Sequence, residues 1–360
     1  MVSKRAGVGV VGVGRWGKNL IRAFDGIDRS EVVAICDIDV GRLDDPTLQS
    51  RARRCQDLRD VLSDPGVDAV VIATPAATHA THAIRALEAG KHVFVEKPMA
   101  LSLHDARRVR EAALRTGRRL MVGHLLCYHP AVVELERLIA AGTFGVVQHI
   151  IALRLGPKGS SNDEGPWWSL APHDVSLVRR LLRTEIVAVS AQRRSFPDGA
   201  STIDARLSLR AGSAWLVAST ASPDKIRRLL LCGDRATAIF DDGGPKPSLV
   251  VARAAREMDL VRACVGSRDA ERAVAVGDAL SRAGASVALR DEQPLRREAA
   301  QFIAAILDGG RIVTDADEGC SVTAALEAGN LSMSAGGRTK RVASPSVRTS
   351  QPSVAEEQPG

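Results

Sequence analysis

A short apolar run, GVGVVGV at 7–13, ends in Gly12-x-Gly14-x-x-Gly17 and passes directly into a helical pattern over 16–24. No other feature of the chain constrains its fold as much. A strand that enters a helix through three glycines so spaced opens a βαβ unit. The first glycine permits a tight turn, the second lets backbone approach a pyrophosphate, and the third lets helix and strand pack closely. The helix N-terminus then turns free N–H groups and a positive dipole end toward phosphates. A second β-branched run, EVVAICD at 31–37, ends in Asp37, where a carboxylate is expected at a ribose 2′-hydroxyl. Gly12, Gly14, Arg15, Trp16, Gly17 and Asp37 are therefore candidate cofactor contacts. A carboxylate at 37 repels the 2′-phosphate of NADP. NAD is the expected cofactor, with NADP left possible because Arg42 is near enough in sequence to neutralise a phosphate.

The same alternation continues. DAVVIAT at 68–74, HVFVEKP at 92–98 and RLMVGH at 119–124 read as further buried strands separated by helical stretches. Strand–helix alternation of this kind predicts an α/β fold with a doubly wound parallel sheet, a Rossmann domain over 1–125. The second half has longer strands, at 146–156, 202–210, 214–220 and 226–233, then two helical stretches at 295–310 and 319–336. These predict an α+β domain over 126–342 with a large, open, mostly antiparallel sheet, for substrate binding and oligomerisation. GPKGSSNDEGP at 156–166 reads as a mobile loop near a site. From 343 to 360 the composition turns to Ser, Pro, Gln and Glu, which cannot bury a core, so that tail is expected to be disordered.

Charge excludes little but favours a plain reading. The net charge of +7 comes largely from arginines with few aromatics among them, 3% of the chain. Nucleic-acid binding needs basic residues interleaved with aromatics or a known reading module, so no nucleic-acid partner is expected. The surplus is read as a solvated surface with some attraction for an anionic substrate. Six scattered cysteines form no C-x-x-C pair and have no histidine at ligand spacing, so they are expected to be buried thiols in a reducing compartment, with no metal. No apolar stretch approaches ~20 residues, and no leader pattern is visible, so no membrane partner and a cytoplasmic location are expected. An open sheet face usually finds a partner, which predicts a homodimer or homotetramer.

ATPAATHATHAIRALEAGKHVFVEKPMA, with Glu96-Lys97-Pro98 closing the fourth strand, resembles a hallmark region of the Gfo/Idh/MocA oxidoreductases. The glycine loop and the two late helices are similar as well, so the resemblance runs from about 7 to 342. It implies that Thr74, Pro75 and His79 lie along the cofactor and that Glu96 binds a ribose hydroxyl on the nicotinamide side. It further implies that Lys97 touches the reacting oxygen of the substrate and that Pro98 follows a cis bond. An ammonium beside a developing alkoxide stabilises its charge, and partial burial readies the amine to act as a base. In GPWWSLAPHDVSLVRRLL the family commonly places an aspartate one helical turn before a histidine. Here His173 is present but Ser169 stands at the earlier position, and Asp174 follows. WSLAPHD, together with GHLLCYHPA at 123–131, resembles the branch that oxidises nucleotide sugars at carbon 3. The implied catalytic residues are Lys97 and His173, and the implied substrate contacts are Lys97, His124, Trp168, His173 and Asp174.

The resulting expectation is an NAD(P)-dependent oxidoreductase acting on a ring carbon of a sugar or nucleotide sugar. Two alternatives stay open on the same fold. One is a non-catalytic dinucleotide-binding sensor or regulator, against which the retained Lys97 argues. The other is a glycosidase that uses NAD transiently.

Overall fold

A computed structural model describes residues 5–48, 50–159, 164–253, 255–267 and 269–345. The tail expected to be disordered lies, beyond residue 345, outside the described residues, as do positions 160–163 of the loop expected to be mobile.

The first half forms six strands: β1 (Ala6–Val11), β2 (Ser30–Cys36), β3 (Arg53–Cys55), β4 (Ala69–Ile72), β5 (His92–Glu96) and β6 (Leu120–Gly123). They order as β3-β2-β1-β4-β5-β6, all parallel. The order reverses between β1 and β4, and a ligand crevice opens at such a reversal beyond the strand carboxyl ends. Burial on both faces explains the uninterrupted apolar runs: β4 and β6 have no exposed residue. The β3 strand, carrying Arg53 and Arg54, gave no apolar signal in the sequence.

The second half forms β7 (Val147–Leu155), β8 (Ile186–Ser195), β9 (Ser201–Leu209), β10 (Ser213–Ser219), β11 (Ile226–Gly233), β12 (Thr237–Asp241), β13 (Ser248–Ala252), β14 (Ala285–Ser286) and β15 (Lys340–Arg341). They make one nine-stranded sheet, antiparallel at every pairing except that of β7 with β10. One face packs on the helices Gly165–Leu182 and Ala316–Ser334, with Ile150, Ala152, Leu216, Leu229 and Phe240 pointing into the main core. Period-2 alternation sends Ile151, Leu153, Trp215, Leu230 and Ile239 to the other face. That outer face was expected to stand exposed. Over β7 and β10–β13 it is instead covered by two helices, Ala255–Ser267 and Ala270–Ala283, which the sequence reading did not single out. The ground for expecting a partner on that part of the sheet is thereby removed.

The two halves are not separate along the chain. Helix Pro294–Asp308 returns to the parallel sheet, where Phe302 packs edge-on against Phe24 and Phe94 at 6.3 and 5.8 Å. Thr314 closes the outer edge of β6: its carbonyl accepts the Val122 N–H at 2.7 Å, and its hydroxyl donates to the Val122 carbonyl at 2.8 Å. Residues 294–334 therefore serve the parallel sheet as well as the domain to which the sequence reading gave them. All six cysteines are buried and none is in a disulfide among the described residues, and no described helix is long and apolar enough to cross a membrane.

Candidate active site

The glycine loop is built by steric exclusion. Gly12 follows β1 with φ +93°, a conformation open to glycine but strained for other residues, and a Cβ there would lie 2.6 Å from the Ala73 backbone. A Cβ on Gly17 would stand 1.9 Å from the Gly12 carbonyl oxygen, so helix Arg15–Asp25 can start this close to the strand only with glycine. Gly14 differs from both. A Cβ there would meet nothing within 4 Å, so the loop leaves free room on the side where a pyrophosphate would approach its backbone.

Asp37 stands immediately after β2, almost fully buried. One carboxylate oxygen accepts the Val13 N–H of the loop at 2.8 Å, and the other accepts the Asp39 N–H at 3.0 Å. It is thus fixed to the glycine loop itself. The Arg42 guanidinium, half exposed, lies 3.6 Å from it and 3.4 Å from the Asp39 carboxylate.

The main cavity, about 530 Å³, opens beyond the carboxyl ends of β4, β5 and β6. It is lined by Arg15 and Trp16 on one side, by the segment from Ala73 to Ala76 with His79, and by Glu96 and Lys97. Gly123, Leu125, Glu164 and His173 complete it. Thr74 hydrogen-bonds Thr78 at 2.7 Å, and Pro75 begins helix Ala76–Glu88. His79 is buried with its two ring nitrogens each 2.8 Å from a carbonyl, those of Thr74 and Pro98. It ties the cofactor-side loop to the turn after β5. Burial lowers its pKa, so the ring is neutral near pH 7 and can donate to only one of the two.

The Lys97–Pro98 bond is cis. The Glu96 carboxylate accepts the Trp16 indole N–H and, at 3.2 Å, the Lys97 backbone N–H. Desolvation pushes it up to about 7. Lys97 makes no ion pair with any described residue. Its ammonium donates to the Ser169 carbonyl at 2.9 Å, and burial lowers its pKa. The serine standing where an acid was looked for therefore holds the lysine through its backbone, while its hydroxyl donates to the Gly165 carbonyl at 2.8 Å.

His173 lines the cavity with an enclosed Nδ1 that has no partner among the described residues. Desolvation first, then the positive charges of Lys97 and Arg154, push its pKa well down. His124, just after β6, is 1% exposed with neither ring nitrogen partnered among the described residues, and burial pushes it down to about 3. Both rings are neutral near pH 7.

Three residues expected at the substrate do not line the cavity, and His124 is one of them, enclosed between its lining neighbours Gly123 and Leu125. Asp174 turns away from the cavity into a bidentate pair with Arg154 of β7, at 2.9 and 2.6 Å, buried on both sides. Trp168 is half-buried against the main core and does not line the cavity. Conversely, Glu164 lines it and was not anticipated. Its only sequence signal was a place in the turn-rich stretch before the helix.

Residues 6–124 match the model of the GFO_IDH_MocA family, described as an oxidoreductase family with an NAD-binding Rossmann fold. The chain is 35% identical over 199 residues to inositol 2-dehydrogenase 1 of Saccharopolyspora erythraea, a match covering 52% of this chain and 57% of that protein. It is 33% identical over 202 residues to the scyllo-inositol 2-dehydrogenase (NAD(+)) of Bacillus subtilis, covering 51% and 56%. The chain thus spans a little over half the length of the curated relatives it matches. Among solved structures it resembles the UDP-N-acetylglucosamine 3-dehydrogenase GnnA of Acidithiobacillus ferrooxidans, with 25% identity and a TM-score of 0.76, over 93% of this chain and 99% of that one.

Proposed function

We propose that this chain, whose residues 6–124 match the model of the Gfo/Idh/MocA oxidoreductases, is an NAD-dependent dehydrogenase moving a hydride between nicotinamide and a ring carbon of a sugar or cyclitol. The finer reading is carbon 3 of a nucleotide-activated sugar. It is supported by the similarity, along nearly the whole described chain, to a UDP-N-acetylglucosamine 3-dehydrogenase.

The observation that carries the proposal is Lys97: a side chain with no ion-pair partner among the described residues, lining the cavity beside the glycine loop and tethered by one backbone carbonyl. NAD, when bound, supplies the hydride acceptor or donor. Gly12, Gly14 and the first turn of helix Arg15–Asp25 would hold its pyrophosphate, and Asp37 its adenosine ribose. Glu96 and Trp16, locked to each other, would frame the nicotinamide side.

The protein's own part is the proton. When a ring hydroxyl is oxidised, its proton must leave as the hydride goes. Lys97, with its pKa lowered, takes that proton as a base, or as an ammonium steadies a developing alkoxide in the reverse direction. His173 offers a neutral hydrogen bond that orients the substrate oxygen without adding charge. With Ser169 in place of an acid, no carboxylate at that position competes for the proton.

The test is direct. Purified protein is mixed with NAD or NADP and a panel of UDP-sugars, free sugars and inositols, and reduced nicotinamide is followed by absorbance. Catalytic turnover on a ring hydroxyl is expected, with NAD preferred. Tight NAD binding with no turnover on any member would contradict the proposal and favour the sensor reading.

A further inference from the structure

The two helices over the nine-stranded sheet are inserted between β13 and β14. Their inward residues Val261, Cys264, Ala273, Val276 and Leu280 are buried and form, with the outward-facing strand residues, a core cluster of their own. Their opposite sides carry Asp259, Glu271 and Arg272, all exposed. An amphipathic pair of this kind has its apolar requirement met on one side and a solvated surface on the other.

The contact is fastened as well as greasy. Arg228 on β11 reaches up to Asp241 on the sheet and to Asp278 on the second helix at 2.5 and 2.7 Å, and donates to the Val274 carbonyl at 3.0 Å. At Gly277 the helix comes so near that a Cβ would stand 3.0 Å from Ile239 Cδ1. Beyond the helices, over β8 and β9, the outer face is polar. Gln192, Arg194 and Ser208 are exposed there, and Asp204 accepts the Trp215 indole N–H at 2.6 Å.

We propose that these helices are a built-in partner for the sheet, occupying the face on which a second copy of this chain would otherwise dock. An apolar sheet face is a standing invitation to association. Here it is closed within the chain over β7 and β10–β13, and the uncovered strands β8 and β9 present mainly polar side chains, with Phe196 exposed just beyond β8. Any self-association of the intact chain therefore uses another surface.

Hydrogen exchange of the full chain, from dilute to concentrated protein, reads the first consequence. Exchange in the two helices and in β10–β13 should not change with concentration, and protection that grows there with concentration would overturn the proposal. The second consequence is read by releasing the cover. Arg228→Ala removes the clamp, and Gly277→Phe, whose ring has no room against Ile239, wedges the helix off even if the clamp alone does not suffice. NAD binding by calorimetry, which depends on the other sheet, should be unchanged and reports that each variant is folded. Faster exchange in the helices should be accompanied by a concentration-dependent rise in sedimentation coefficient. Helices released with no gain in mass at any concentration would overturn the proposal.

Discussion

The two sheets contribute to the cavity in different ways. The parallel sheet works from its strand ends: Thr74 after β4, Glu96 and Lys97 at the end of β5 and Gly123 at the end of β6 line the cavity, while Gly12 and Asp37 stand at the ends of β1 and β2. The nine-stranded sheet sends no residue of its own strands into the cavity. It offers a face, and helix Gly165–Leu182 lying on that face brings His173, with Glu164 just before its first turn. Groups at strand ends are placed by hydrogen-bond ladders that admit little slack. A group on a packed helix is placed by everything under the helix, including the buried Arg154–Asp174 pair. Cofactor-side function should therefore fail locally, and substrate-side function should fail together with stability.

The largest effect should come from the glycine loop. Gly14→Val fills the one open direction of the loop and should remove measurable NAD binding by calorimetry, with the melting temperature nearly unchanged because a Cβ there meets no protein atom. Undiminished NAD affinity in a folded variant would exclude this loop as the phosphate site. On the other side, Asp174→Asn leaves the Arg154 guanidinium buried without its counter-charge and should cost about 3–5 kcal/mol in denaturant unfolding. A variant as stable as wild type would mean that the helix is not held by this pair. His173→Asn should be milder, raising the Michaelis constant more than it lowers turnover. Turnover abolished by this change while Lys97→Met remained active would exchange the two roles.

The smallest effect is in the pH dependence of stability. His124 is held neutral down to about 3 in the folded protein, whereas an unfolded histidine protonates near 6.5. Between those values the unfolded chain binds the extra proton, so stability contributed by the neutral ring is full above 6.5 and is lost as pH falls. Melting temperature followed from pH 7 to pH 4 should fall less steeply in His124→Gln than in the wild type. Equal slopes would contradict the assigned burial.

The strand-end half of the site was legible because its signals are local. Gly12, Gly14 and Gly17 announce their spacing within one turn, and Glu96-Lys97-Pro98 ends an apolar run. The helix-borne half was less legible because its geometry depends on contacts distant in sequence. Asp174 looked like a substrate contact beside His173, but its fate was decided by Arg154, an arginine inside the apolar run of β7. The runs at β7, β10 and β11 read as strands of an open sheet. Their lack of polar alternation signals burial on both faces, and the helices responsible for it lay in a stretch rich in Ala, Arg and Asp whose amphipathic pattern went unread.

The account rests most heavily on Lys97. Its substitution by methionine keeps much of the bulk of the side chain and removes the ammonium. Turnover of the best substrate from the sugar and cyclitol panel, measured as reduced nicotinamide in wild type and in Lys97→Met, is the most direct test. The account predicts a loss on the order of a hundredfold or more in turnover, with the dissociation constant for NAD little changed. A Lys97→Met protein that turns over near the wild-type rate would contradict it.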